Sequence, residues 1–192
     1  NAGNSIASGG NYNVVIGDEA GTALTTGDDN VAIGFEALKT EDEHGRNVAV
    51  GYQSLKTLNA GVVAVTTTVG YKSGTSLTTG VQNTLIGGLA GDALTDADYN
   101  VAVGNNTLST DTQGSKSTAV GYEALTAQNF TSATDSHNTA VGYQAGLSVT
   151  TGKQNTLIGG LSGDAVTTGL RNTSVGYSSL SATTTGNDNT AV

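Results

Sequence analysis

Ile or Val stands directly before a glycine again and again along this chain: Ile16, Ile33, Val50, Val69, Ile86, Val103, Val120, Val141, Ile158 and Val175, with Val192 in the same phase at the last position. Two residues earlier every copy carries Val or Thr, from Val14, Val31 and Val48 through to Thr173 and Thr190. Side chains two apart share one face of a strand, so this alternation predicts a short β-strand in each copy. One residue further upstream is Asn in nine copies (Asn13, Asn30, Asn47, Asn83, Asn100, Asn138, Asn155, Asn172 and Asn189). Asn tolerates a left-handed backbone and bonds its neighbours, so this column is read as the turn that opens each strand.

The glycines themselves set the period. Gly17, Gly34, Gly51, Gly70, Gly87, Gly104, Gly121, Gly142, Gly159 and Gly176 are separated by 17, 17, 19, 17, 17, 17, 21, 17 and 17 residues. An aromatic residue follows in six copies, and a second glycine, commonly after Thr-Thr, follows ten residues on at Gly27, Gly61, Gly80, Gly114, Gly152, Gly169 and Gly186. That second glycine marks a turn, so each unit is predicted to hold two short strands and two turns. A unit this small cannot bury an apolar face alone. The copies must stack, at about 4.8 Å per rung, into an all-β parallel β-solenoid (β-roll) of about eleven 17-residue rungs, roughly 50 Å long.

A longer order overlies the short one. Gln82–Leu89 recurs as Gln154–Leu161, and the two long units lie 70 residues apart, so four units form a superunit. The extra residues fall at 58–66 and 128–137, where inserted turns are expected to bulge from a single solenoid domain spanning 1–192.

Composition narrows the function classes. There are 28 Gly and no Pro, Cys, Met or Trp, and the net charge is −9 with only seven Lys and Arg. Scattered cations on an acidic chain argue against nucleic acid as a partner. The absence of Cys removes disulfides and thiolate sites. No apolar run approaches the ~20 residues of a membrane span, so no membrane insertion is expected. A chain that begins at Asn1 with no Met is read as a processed form or a segment of a longer polypeptide.

The phrase Asn138-Thr139-Ala140-Val141-Gly142-Tyr143-Gln144-Ala145, with its relatives at 30–37 and 100–104, resembles the head repeats of trimeric autotransporter adhesins. It also resembles repeats of phage tail fibres that precede an endosialidase-type chaperone domain. The resemblance spans essentially the whole chain, although adhesin head repeats are typically shorter than these. It implies a left-handed roll, a homotrimer, and an extracellular, cell-surface or virion location.

Candidate chemistry is sparse, and no enzymatic activity, cofactor or metal is expected. His44 and His137 lie in irregular stretches and are read as solvated loop residues. Glu41-Asp42-Glu43 is an acidic cluster of the kind that attracts calcium, but the turn column through Asp29, Arg46, Gln82 and Tyr99 is too mixed for a column of metal sites. The glycines of 146–153 lack a phosphate loop's spacing, and Glu36, Glu123 and Asp164 form no catalytic pair in the sequence. Sequons at Asn105, Asn129 and Asn172 are what an Asn- and Thr-rich chain generates by chance. Tyr52, Tyr71, Tyr122, Tyr143 and Tyr177 form either a glycan-binding stripe or a packing column; packing is favoured because Gly and Asn interrupt the series. Thr-Thr pairs beside glycine are too irregular for an ice-binding ladder.

The ends are complementary. Asn189, Thr190, Ala191 and Val192 make a strand without its following turn, while Asn1, Ala2 and Gly3 match the part that follows the missing glycine. Head-to-tail stacking into a polymer is one expectation, and excision from a longer repeat is the other. The leading functional expectation is a structural subunit of an extracellular filament, appendage or virus fibre shaft; the alternative is an adhesin or receptor-binding head that holds surface glycans.

Overall fold

A computed structural model describes residues 1–192. The strands are β1 (Val14–Ile16), β2 (Val31–Ile33), β3 (Val48–Val50), β4 (Thr67–Val69), β5 (Thr84–Ile86), β6 (Val101–Val103), β7 (Gly114–Ser115), β8 (Thr118–Val120), β9 (Thr134–Asp135), β10 (Thr139–Val141), β11 (Thr156–Ile158), β12 (Thr173–Val175) and β13 (Thr190–Ala191). Eleven of them form one parallel sheet whose spatial order is their order in the chain, omitting β7 and β9, which pair with each other. Register follows the repeat: Val31 pairs with Val48, Ala32 with Ala49 and Ile33 with Val50. The chain is a parallel β-solenoid in which one turn of about 17 residues separates neighbouring strands.

Each rung has one three-residue strand, where the sequence predicted two; only β7 and β9 add a second, two-residue sheet. The rest of each rung is a chain of turns built on left-handed residues. Left-handed φ values of 47–65° recur at three places per rung, as at Arg46, Gln53 and Leu55, or Lys116, Glu123 and Leu125, the third place being glycine in five rungs (Gly21, Gly74, Gly91, Gly146, Gly163). The rungs bond to one another through backbone amides in these turns as well as in the sheet, for example Leu125 N–H to Ala145 O at 3.1 Å and Lys116 N–H to Asp98 O at 3.0 Å. Turn backbone that carries no intrarung ladder is thereby satisfied by the next rung.

The left-handed residue that opens each strand is the one before the asparagine, for instance Asp29, Gln82 or Arg171, and not the asparagine itself. The asparagines point inward and are buried from Asn30 to Asn172. Their amides run as a ladder along the axis: Asn155 Oδ1 accepts the Asn172 backbone N–H at 3.0 Å, and Asn155 Nδ2 donates to Gly169 O at 2.9 Å across the rung. The side chains thus satisfy a backbone donor in the next rung and a turn carbonyl, except that Asn47, above which Thr66 interrupts the column, accepts the Thr66 N–H and leaves its Nδ2 without a partner.

The conspicuous β-branched columns face outward. Flanking positions such as Val101 and Val103 are half-buried, whereas the residue between them is buried: Ala32, Ala49, Thr68, Leu85, Ala102, Ala119, Ala140, Leu157 and Ser174. The core lies between this column and the leucines of the opposite wall, including Leu24, Leu58, Leu77 and Leu94. Its width is held by a trade inside most rungs. Where a Leu stands four after the repeat glycine (Leu38, Leu55, Leu108, Leu125, Leu180), the strand centre is Ala or Ser; where a Gly stands there (Gly21, Gly74, Gly91, Gly163), it is Val, Thr or Leu. The exception, Gly146 with Ala140, is filled by Leu125 and Leu157 of the neighbouring rungs. A Cβ on Gly163 would lie 2.6 Å from Leu157 Cδ2. The Gly, Leu, Leu, Gly order of that position recurs every four rungs, so the superunit is a core-packing period.

The segments 58–66 and 128–137 are anchored at both sides. Leu58, Ala64, Thr66, Gln128, Phe130 and Ser136 are buried, while the crests at 61–63 and 131–133 and the alternate residues Asn59, Val65, Asp135 and His137 are exposed.

The repeat glycine itself has φ between 122° and 143° in all ten copies. A Cβ on Gly159 would sit 2.4 Å from Gly176 O, whereas one on the adjacent Gly160 would meet only Tyr177 Cδ2, at 3.5 Å. Gly159→Ala is therefore expected to destabilise the fold by about 1–3 kcal/mol or more, and Gly160→Ala by much less; paired thermal melts check the difference. Asn155→Ala, which orphans buried groups on two rungs, is expected to cost about 1–3 kcal/mol per orphaned group, and Asn155→Thr less, because Thr66 occupies this column naturally and accepts the Asn83 N–H at 3.4 Å.

Candidate functional surfaces and side-chain clusters

The outward face of the eleven-stranded sheet is a regular surface that runs along the ladder. Its two columns hold only Val, Ile and Thr, with no charged residue in any of the eleven strands of this sheet, on a chain of net charge −9. Exposure rises toward the ends, reaching 58% at Ile16. The aromatic column borders this face. Phe35, Tyr52 and Tyr71 stack in series with centroids 5.3 and 5.5 Å apart, and Tyr122 stacks on Tyr143 at 5.6 Å. All are partly exposed, and Tyr177 stands beyond Gly160 without a stacking partner. Stacked rings cover one another's faces, which are the surfaces a sugar ring would use. Tyr52 has both faces covered, and Lys72 Nζ lies 5.4 Å from the Tyr71 ring centroid. Tyr12 and Tyr99 belong to the left-handed turn column and lie outside the stacks.

The end residues lie where the repeat places them. Thr190 pairs with Thr173 and Ala191 with Ser174, leaving the other edge of β13 free, while β1 pairs only with β2. Gly3 takes the left-handed conformation of the Gly21 position and donates its N–H to Ala20 O at 2.9 Å, so Asn1, Ala2 and Gly3 continue the turn wall below the first rung. Asn189 extends the asparagine ladder from Asn172, and Val192 is almost wholly exposed.

Charges gather on the turns, where cross-rung pairs link neighbours. Arg171 grips Asp188 through two bonds of 2.6 and 2.8 Å, and Lys116 Nζ lies 2.5 Å from Asp135. The densest group is Glu19, Lys39, Glu36 and Lys56, with Gln53. Glu36 is nearly buried and receives Lys39 Nζ at 2.6 Å, Lys56 Nζ at 2.6 Å and Gln53 Nε2 at 2.7 Å. Lys39, and after it Lys56 and Gln53, hold the Glu36 carboxyl at about 2. Glu19 and Glu36 push the Lys39 ammonium up to about 12. Every donor is committed to a neighbouring rung, so the cluster works as a clamp across three rungs. Glu123 is apart from it, with its carboxylate on Gln144 Nε2 at 2.7 Å, and Asp164 is apart from both.

One further cluster lies in the second rung. Glu41 is wholly buried, Asp42 and His44 are half-buried, and one ligand-type atom from each lies within 4.8 Å of the others. His44 is thus not a free solvated loop residue, as the sequence suggested; His137 is exposed. Burial pushes the Glu41 carboxyl up, partly offset by the backbone amides of His44 and Ala60 and by the imidazole. An open hollow of about 210 Å³ adjoins His44, lined also by Thr26, Asp28, Asp29, Glu43 and Arg46. The sequence signal for this cluster was available: Glu41 occupies the core column of Leu24 and Leu58.

No helix is long and apolar enough to cross a membrane. The architecture agrees in general shape with fibrous and adhesin-type repeat folds, while comparison with known protein families, curated proteins and solved structures finds no match.

The Glu36 clamp gives a pH signature. Its carboxyl ionises at about 2 in the fold against an ordinary 4.5, so its stabilisation is complete above 4.5 and is lost as pH falls toward 2. Glu36→Gln is expected to lower the melting temperature at neutral pH, with the gap to the wild type closing between those two values. A gap independent of pH would show that Glu36 acts by packing alone.

Proposed function

We propose that this chain is a structural, self-associating rod: a subunit of an extracellular filament, appendage or virus fibre. The observation that carries this reading is the uncharged, β-branched outer face of the eleven-stranded sheet. At about 4.8 Å per strand and roughly 10–15 Å across with its aromatic border, the face covers on the order of 500–800 Å². That exceeds most apolar patches on proteins that act alone, and approaches the ~800 Å² per partner of a stable interface. Hydrophobic burial needs no charge complementarity. Acidic copies can meet across a sheet whose eleven strands carry no carboxylate, the one acid in its border column being Asp18 at the first rung.

Two modes of association follow. Laterally, the sheet faces of two or three copies pack together, the trimer being the state that the family resemblance implies. Axially, like positions pair throughout the ladder, so a further rung adds in register whether the same polypeptide or another copy supplies it. The extracellular or virion address rests on the same resemblance. A glycan-binding head is the weaker reading, because Tyr52 has both ring faces covered and Tyr71, Tyr122 and Tyr143 one each, leaving Tyr177 as the one unstacked ring of that column.

Sedimentation equilibrium of the 192-residue chain checks the lateral mode. The wild type is expected as a dimer or trimer, and Val103→Glu with Val120→Glu as a folded monomer of unchanged circular dichroism. A wild-type chain that stays monomeric at every concentration contradicts the proposal.

A further inference from the structure

Seven residues after the repeat glycine the chain turns into the core, and this column holds Leu24, Glu41, Leu58, Leu77, Leu94 and Asp111 in successive rungs. Two carboxylates therefore stand in an apolar column, and they are treated differently. Asp111 is fully engaged: Oδ1 accepts the N–H groups of Gly114 at 3.1 Å and Phe130 at 2.9 Å, and Oδ2 accepts Gln128 Nε2 at 2.6 Å. Glu41 is wholly buried, yet its only well-formed hydrogen bond is the one Oε1 accepts from the His44 N–H at 3.2 Å; the Ala60 amide acts on the carboxylate without completing a bond, and Oε2 has no partner. His44 Nδ1 is also buried without a partner, 3.6 Å from Glu41 Oε1. Leaving two such atoms unpaired in the interior is costly.

The separation is too long for a proton shared in a hydrogen bond. A cation between the groups satisfies both. We infer that Glu41, Asp42 and His44 form a binding site for a single divalent transition-metal ion of the zinc class. The donor set decides the class: one imidazole and two carboxylates make the three-ligand constellation that zinc accepts with water as the fourth ligand. Calcium requires six to eight oxygens, and the half-buried imidazole replaces one of the few available. The ligand atoms, within 4.8 Å of one another, must draw in modestly around the ion. The hollow beside His44, edged by Asp28, Asp29 and Glu43, supplies an acidic entrance and the water. The site is independent of the outward sheet face, so its existence does not depend on self-association.

Titration of the full chain, stripped with chelator and dialysed, tests the inference with Zn²⁺ alone and with Ca²⁺ in parallel. The wild type is expected to take up one equivalent of Zn²⁺ per chain and to melt at a higher temperature when loaded. Glu41→Leu restores the residue found at Leu24 and Leu58; it is expected to raise the melting temperature of the metal-free protein and to abolish the uptake. His44→Ala is expected to weaken Zn²⁺ by at least roughly 10- to 100-fold, the loss that removal of even an outer partner causes, and His137→Ala to leave it unchanged. No uptake by the wild type, uptake that persists in both Glu41→Leu and His44→Ala, or Ca²⁺ bound there in preference to Zn²⁺ would each overturn it.

Discussion

Everything in this molecule depends on how closely successive rungs can approach at the repeat glycine. With φ near 130° and the next rung's carbonyl where a β-carbon would be, that position excludes every other residue on two independent grounds. The close approach brings three-residue strands into an unbroken parallel ladder. Strands so short would have no stability in isolation, and they persist because each is bonded on both sides over most of the rod.

A narrow rung leaves little interior, which reverses the usual distribution of side chains. Ala, Ser, Asn and Gly fill much of the inside beside the leucine wall, and a Leu at the strand centre enters where the opposite position gives way, as Leu157 does against Gly163. The large β-branched residues are displaced to the outer face, where they stiffen the strands and present a surface suited to another copy. Order in the core and stickiness outside thus have one cause. Polar interior positions are tolerated because the asparagine ladder satisfies backbone groups on every rung it crosses.

The period, the parallel stacking and the strand positions were legible in the sequence because they rest on residues the geometry leaves no choice about: the glycine, and the β-branched pair before it. The inner column was not. Ala102, Leu85, Thr68 and Ser174 look unpatterned until each is set against its partner four after the glycine, since the two positions trade bulk in most rungs. The asparagines misled for a similar reason. A residue type that favours left-handed turns sits beside one, at Arg46 or Gln82, while doing a buried hydrogen-bonding job. The same comparison of columns exposes Glu41 as the place where a core leucine has been exchanged for a carboxylate, which reading 41–43 as a surface acidic run conceals.

The central claim is that the strand centre faces the core and its β-branched neighbours face outward to meet other copies. The chain has no cysteine, so single cysteines at adjacent strand positions report this directly through their rate of reaction with a small thiol reagent. Ala102→Cys is predicted to be protected at every protein concentration, and Val103→Cys to react in the dissociated chain and become protected as the chain associates. Rapid labelling at 102 together with protection at 103 in the dissociated chain would contradict the account.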